Sequence, residues 1–167
     1  MENNSQIESA WIVDGIDLNR PSVARMYNYL LGGCHNFEID CAIIAKTREI
    51  YPDVALAAQV GRAFLRRVVL YLLDKGINQF IDLGSGIPTA GHVHEILQAA
   101  NINGRVVYVD IEPMAIAHSN AILRNIPNTL ALLEDARRPE EIYAREDIFF
   151  EQPERSLIYS GVARLTQ

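Results

Sequence analysis

At 167 residues the chain has the size of one domain with a substantial core, and its 49% hydrophobic and 22% charged content excludes disordered and fibrous classes. A formal net charge of −6 works against non-specific nucleic-acid binding, which needs clustered Lys and Arg to neutralise phosphates. No apolar stretch approaches the roughly 20 residues of a bilayer span, and the polar opening Met1-Glu2-Asn3-Asn4-Ser5-Gln6 is unlike a signal peptide; the expectation is a cytoplasmic protein with no membrane partner.

In chain order, a polar tail over 1–16 leads into a helix over 21–31, with Pro21 in its first turn and Gly32-Gly33 as its stop. A second helix is predicted over 39–50. Asp53 reads as the N-cap of a long helix reaching residue 75, whose Val60, Phe64, Val68 and Leu72 recur at helical spacing before Gly76 closes it. Arg62, Arg66 and Arg67 on this helix are expected on a solvated or salt-bridged face. Cys34 and Cys41 are too few and too loosely spaced for a metal knuckle or a redox pair, and are expected as reduced, partly buried thiols.

Beyond residue 76 the pattern alternates. A strand over 79–83 is followed by a helix over 89–100, and Asn103-Gly104 turns the chain into a strand ending at Asp110. Pro113 opens a helix to about residue 124, a strand covers 129–134, Pro139 opens a short helix, and Leu157-Ile158-Tyr159-Ser160 is a candidate fourth strand. This βαβαβ order with short links implies right-handed crossovers and a Rossmann-like, doubly wound parallel sheet. His92 and His94 lie two apart in a predicted helix, point to different faces, and support no metal assignment.

Three strand ends carry the chemistry. Phe80-Ile81-Asp82-Leu83-Gly84-Ser85-Gly86, Val106-Val107-Tyr108-Val109-Asp110 and Leu130-Ala131-Leu132-Leu133-Glu134-Asp135 are each an apolar run that stops at a carboxylate. In a parallel α/β sheet those ends face one crevice, so the acids suit a ligand rich in hydroxyl and amino donors, such as a nucleoside. The Gly84-Ser85-Gly86 turn lets backbone approach a ligand closely. A dinucleotide fingerprint asks for a third glycine where this chain has Thr89, and Asp82 would repel a phosphate but attract an ammonium.

S-adenosylmethionine, with its amino group, ribose diol and adenine, meets these demands. Asp82 would face the ammonium, Asp110 the ribose hydroxyls and Asp135 the adenine amino group. The alternative is that these acids only cap the turns that follow them.

At these residues the chain resembles the class I S-adenosylmethionine-dependent methyltransferases, with Asp82-Leu83-Gly84-Ser85-Gly86 as motif I, Asp110 as ribose acid and Glu134-Asp135 as adenine-side acid. More narrowly, it resembles the bacterial S-adenosyl methyltransferase family. That likeness rests on the stretch from Arg20-Pro21-Ser22 to Leu31-Gly32-Gly33, on Asn36-Phe37 with Asp40, on Arg62-Ala63-Phe64-Leu65-Arg66-Arg67, and on Gly86-Ile87-Pro88-Thr89-Ala90-Gly91-His92-Val93-His94-Glu95. Val107-Tyr108-Val109-Asp110 with Pro113, and Asp135-Ala136-Arg137-Arg138-Pro139, complete it.

The resemblance implies S-adenosyl-L-methionine as cofactor, bound by Asp82, Gly84, Ser85, Gly86, Thr89, Asp110, Ile111, Asp135 and Ala136. Tyr29 and Gly33 would reach it from an N-terminal cover, for which an ordinary helix cap and turn is the alternative. The implied organisation is a tail over 1–16, a helical cover over 17–76 and a Rossmann-like core over 77–167. Two features depart from the family. Gly61 stands where Asn is usual, and residues 157–167 match its long fourth strand poorly, resembling a truncated or frame-shifted end that lacks the second half of the sheet and leaves an edge for self-association.

The expected activity is methyl transfer to an acceptor the residues do not specify. Tyr29, His35 and His118 are considered as bases, and none is nominated. The rival readings are a non-catalytic S-adenosylmethionine-binding or interaction module, and, disfavoured by Thr89 and Asp82, a NAD-dependent oxidoreductase.

Overall fold

The computed structural model describes residues 17, 19–88 and 91–148 and the strand at 156–160. The tail, Thr89 and residues 161–167 lie outside the described residues. Helices α1 (Val23–Leu30), α2 (Glu38–Ile50) and α3 (Val54–Asp74) precede an alternating unit: β1 (Gln79–Leu83), α4 (Val93–Ala99), β2 (Arg105–Asp110), α5 (Pro113–Leu123), β3 (Thr129–Leu133), α6 (Pro139–Tyr143), a 3-10 turn (Glu146–Ile148) and β4 (Ser156–Ser160).

All strand pairs are parallel, and the sheet order is β3-β2-β1-β4. The chain therefore moves outward from β1 to β3 and then returns to the far side of β1. That reversal is the switch point of a doubly wound sheet, where the carboxyl ends of adjacent strands diverge and open a crevice. The stretch 157–160, a poor match to the family's fourth strand by sequence, does form β4, with Leu157 opposite Phe80 and Ser160 opposite Leu83.

Strand alternation sorts the core into two layers. On one face Phe80, Val106, Tyr108 and Ala131 pack against Leu65 and Val69 of α3, Val93, Ile96 and Leu97 of α4, and Ile116 and Leu123 of α5. On the other, Ile81, Val107, Val109 and Leu132 pack against Ile142 of α6 and Ile148. Side chains this fully buried are each worth about 1.5–3 kcal/mol of hydrophobic free energy.

Two expected helix starts are corrected. Helix α1 starts at Val23, with Ser22 as N-cap accepting from the Arg25 N–H, so Pro21 lies outside it. Helix α4 starts at Val93, because Gly91 is in the left-handed region (φ 64°) and His92 caps the helix, donating its N–H to Glu95 Oε2 at 3.1 Å.

In α3 the buried face is Ala58, Leu65 and Val69, whereas Val60 and Phe64 are more than half exposed. An i+4 series advances 40° per step around a 3.6-residue helix, so the stripe from Val60 to Leu72 slides off the contact line. No helix among the described residues is long and apolar enough to cross a membrane.

The N-terminal helices are fixed to the sheet unit by a buried charge network. Arg25 and Asp40, 1% and 0% exposed, form an ion pair through Arg25 Nε and Asp40 Oδ2. Asp40 also accepts the N–H groups of Ser22 and Phe37, both at 2.9 Å, while Arg25 Nη2 donates to the Arg20 carbonyl and its guanidinium lies 4.8 Å from the Phe37 ring centre. Arg25 Nη1 reaches Met114 Sδ on α5. With every polar atom of Asp40 engaged, the pair meets the condition under which buried charges are tolerated.

Candidate functional site

The site is built from the carboxyl end of β1 outward. Asp82 shares a sheet face with Phe80 and stands opposite Tyr108 in register. After Leu83 the backbone turns sharply, with Gly84 at φ 70° and Gly86 at φ 63°, values that a side chain at either position would disfavour.

The turn is latched to β2. Gly84 and Ser85 both donate to the Val109 carbonyl, at 2.7 and 3.1 Å, and Gly86 donates to Asp110 Oδ2 at 2.8 Å. Three successive N–H groups are thus engaged within the fold. No amide nest remains at these positions for a pyrophosphate, which weakens the dinucleotide reading on geometric grounds.

Asp110 organises the second strand end. Its Oδ2 takes the Gly86 N–H and its Oδ1 takes the Glu112 N–H at 2.9 Å, so the carboxylate binds the glycine turn to the start of α5. Each carboxylate oxygen has a second lone pair, and Asp110 is only partly buried, so capping leaves acceptor capacity for hydroxyl donors. Ile111 beside it is exposed. Glu112 is held above the usual carboxylate range by burial, an effect opposed by its hydrogen bond with Ser22.

Buried polar atoms without a partner occur at and around the turn. Asp82 Oδ1, Ser85 Oγ and Arg62 Nε are buried without a hydrogen-bond partner. Burial pushes the Asp82 carboxyl up to about 7, against the pull of the Arg62 guanidinium and with a further push from Asp110. A buried acceptor left unsatisfied costs about 1–3 kcal/mol, which a donor arriving with a ligand would recover.

Arg62 is the residue that sequence reasoning missed. It is half-buried, not part of a solvated row. Its stem lies over Gly91, where an added Cβ would come within 3.2 Å of Cγ, and its guanidinium lies 5.5 Å from the Tyr27 ring centre. Arg66 and Arg67 are exposed as expected, and no ion pair joins any of the three among the described residues. A readable signal existed: Ala58, Arg62, Leu65 and Val69 are spaced four, three and four apart, which puts Arg62 in line with the buried stripe.

A cavity of about 280 Å³ opens here, lined by Leu31, Gln59, Arg62, Ala63, Arg66, Gly91 and Ile96. Leu31 ends α1, and Ala24 lies 3.6 Å from where a Cβ on Gly86 would sit. Helix α1 is therefore seated against the glycine turn.

The remaining predicted residues are placed as follows. Gly33 donates to the Asn28 carbonyl, and a Cβ there would collide with the buried Asn28 amide, which itself accepts the His35 N–H at 2.9 Å. Tyr29 is partly buried beside Leu30, Ile44 and Ala58, with Arg48 5.6 Å from its ring centre. Asp135 accepts the Arg137 N–H and Nε, both at 2.9 Å, and these bonds hold it well below the usual carboxylate range. Ala136 is exposed.

His118 lies against His35, with ring centres 6.4 Å apart, and burial, with the nearby His35 and Arg25, lowers it to about 4. Cys34 is exposed, contrary to expectation, and Cys41 partly buried; both are free thiols.

The sequence matches the S-adenosyl methyltransferase family over residues 9–164. A proposed methyltransferase from Thermobifida fusca YX, solved by crystallography, is 41% identical with a TM-score of 0.79, the match covering 90% of this chain and 57% of that one. A DUF574 family protein from Streptomyces avermitilis MA-4680 is 31% identical with a TM-score of 0.70, over 78% of this chain and 51% of its own. No curated protein matches the chain. The chain spans a little over half the length of these solved structures. With nearly its whole length matched, the chain belongs to the S-adenosyl methyltransferase family.

Proposed function

We propose that this protein binds S-adenosyl-L-methionine at the carboxyl ends of β1 and β2 and serves methyl transfer to an acceptor of unassigned class. The observation that carries the reading is the pair of buried, unpartnered oxygens, Asp82 Oδ1 and Ser85 Oγ, at a glycine turn on the switch point of the sheet. When bound, the cofactor would supply a methyl group activated for transfer by its sulfonium.

The chain's own residues bind and orient. Asp82 accepts from the ammonium group, Gly84 and Gly86 keep the turn free of side chains, and Asp110 accepts ribose hydroxyls with the lone pairs its capping bonds leave open. Ile111 offers an exposed apolar surface beside the base. Asp135, Ala136 and Thr89 complete the cofactor contacts, and Tyr29 and Gly33 belong to the cover that keeps water from the reacting centre. Asp135 would share its carboxylate between Arg137 and the adenine amino group.

The free thiols Cys34 and Cys41 fit a reducing cytoplasmic compartment. The net charge of −6 fits small-molecule rather than nucleic-acid partners. Strand β4 has β1 on one side and no strand on the other among the described residues, and we assign that edge to self-association.

Thermal unfolding tests the reading. S-adenosylhomocysteine is expected to raise the melting temperature in a concentration-dependent way, and NAD to leave it unchanged. Stabilisation by NAD and not by S-adenosylhomocysteine would overturn it, while stabilisation without methyl transfer to any acceptor would favour the non-catalytic module.

A further inference from the structure

We infer that Arg62 is the carboxylate anchor of the bound ligand, and that Arg62 with Asp82 forms a two-ended clamp selective for the zwitterionic amino-acid end of S-adenosylmethionine. This inference rests on the proposed cofactor reading.

Three observations carry it. Arg62 Nε and Asp82 Oδ1 are both buried and unpartnered, although the two groups are close enough for the arginine charge to draw the aspartate down. Opposite charges buried together normally pair; these two form no ion pair among the described residues. Arg62 is in line with Leu65 and Val69, which pack on the β1 face that carries Phe80 and Asp82, and one donor and one acceptor left open on these two packed elements match a ligand that brings a carboxylate and an ammonium on one carbon.

Second, the arginine stem is immobilised. Its Cγ and Cδ lie against Gly91, where an added Cβ would approach to 3.2 and 3.3 Å, and its guanidinium lies beside the Tyr27 ring. A fork held from both sides loses little rotamer freedom on binding, which suits bidentate carboxylate recognition. Third, Arg62 lines the 280 Å³ cavity together with Gln59 and Arg66, so the anion has space and two further donors.

The clamp is tested by a cycle on the full 167-residue chain, using calorimetry with S-adenosylhomocysteine and with its decarboxylated analogue, which keeps the amine and lacks the carboxylate. The wild-type chain should bind the decarboxylated analogue at least about tenfold more weakly, the scale of one charge-assisted hydrogen bond. Arg62→Gln should weaken S-adenosylhomocysteine by a similar factor and leave the analogue within about twofold. Arg62→Lys should recover part of the loss, and Arg67→Gln should change neither ligand.

Equal losses for both ligands in Arg62→Gln would overturn the anchor and leave a structural arginine. Equal affinities of the wild-type chain for the two ligands would overturn it without any substitution, so a failure of Arg62→Gln to fold does not shelter the claim. A folded wild-type chain that binds neither ligand would remove the cofactor reading itself, and the clamp with it.

Discussion

Asp82 sets the pH behaviour of the site. Its folded-state value of about 7 stands above the roughly 3.9 of an unfolded aspartate, so the folded chain holds the extra proton between those values. The associated stability is fully present below about pH 4 and is lost as pH rises through 7. Asp82→Asn should therefore be more stable than wild type at pH 8, by on the order of 4 kcal/mol, with the gap closing as pH falls from about 7 to about 4 in denaturant melts. An unchanged gap across that range would contradict the buried, ionisable reading.

The ligand side has the opposite sign. An ammonium group favours ionised Asp82, so affinity for S-adenosylhomocysteine should increase as pH rises from 5.5 to 7.5, whereas affinity for 5′-methylthioadenosine, which lacks the amino-acid end, should stay flat. For Asp110→Ala, calorimetry should register a loss of about 1–3 kcal/mol in binding, from the ribose contacts and from the released glycine turn. The placement of Asp82 and Asp110 near the carboxyl ends of neighbouring strands was legible in sequence because each closes an apolar run. Arg62 was obscured because Arg66 and Arg67 beside it are solvated, so composition concealed what the four-three-four spacing would have revealed.

Between elements, the Arg25–Asp40 pair decides whether α1 and α2 stay docked on α5. Arg25→Met removes one partner and leaves a buried carboxylate uncompensated, which should cost about 3–5 kcal/mol in chemical denaturation. Retention of full stability would show that the network is dispensable. Gly33→Ala should cost less, about 1–3 kcal/mol, as the buried Asn28 amide gives way.

Strands were readable from apolar runs ended by turn residues, and β1 runs over the expected 79–83. Helix starts were less so. Ser22 and His92 outcompeted Pro21 and Thr89 as boundaries through local capping bonds, and helical spacing alone did not show which face of α3 is buried.

For the molecule as a whole, the parallel strands of the β3-β2-β1-β4 sheet put the glycine turn after β1 and Asp110 at the end of β2 on one end of the sheet, with Ala24 of α1 against Gly86. Self-association through the β4 edge should appear as a concentration-dependent increase in sedimentation coefficient, and a monomer at all concentrations would count against it.

Amide chemical-shift mapping during titration with S-adenosylhomocysteine would locate the cofactor site, assigned here to the ends of β1 and β2. Saturable shifts centred on Gly84, Ser85, Gly86, Asp110 and Glu112 are expected. Saturable shifts confined to other surfaces, or none from a folded chain at millimolar ligand, would contradict that assignment.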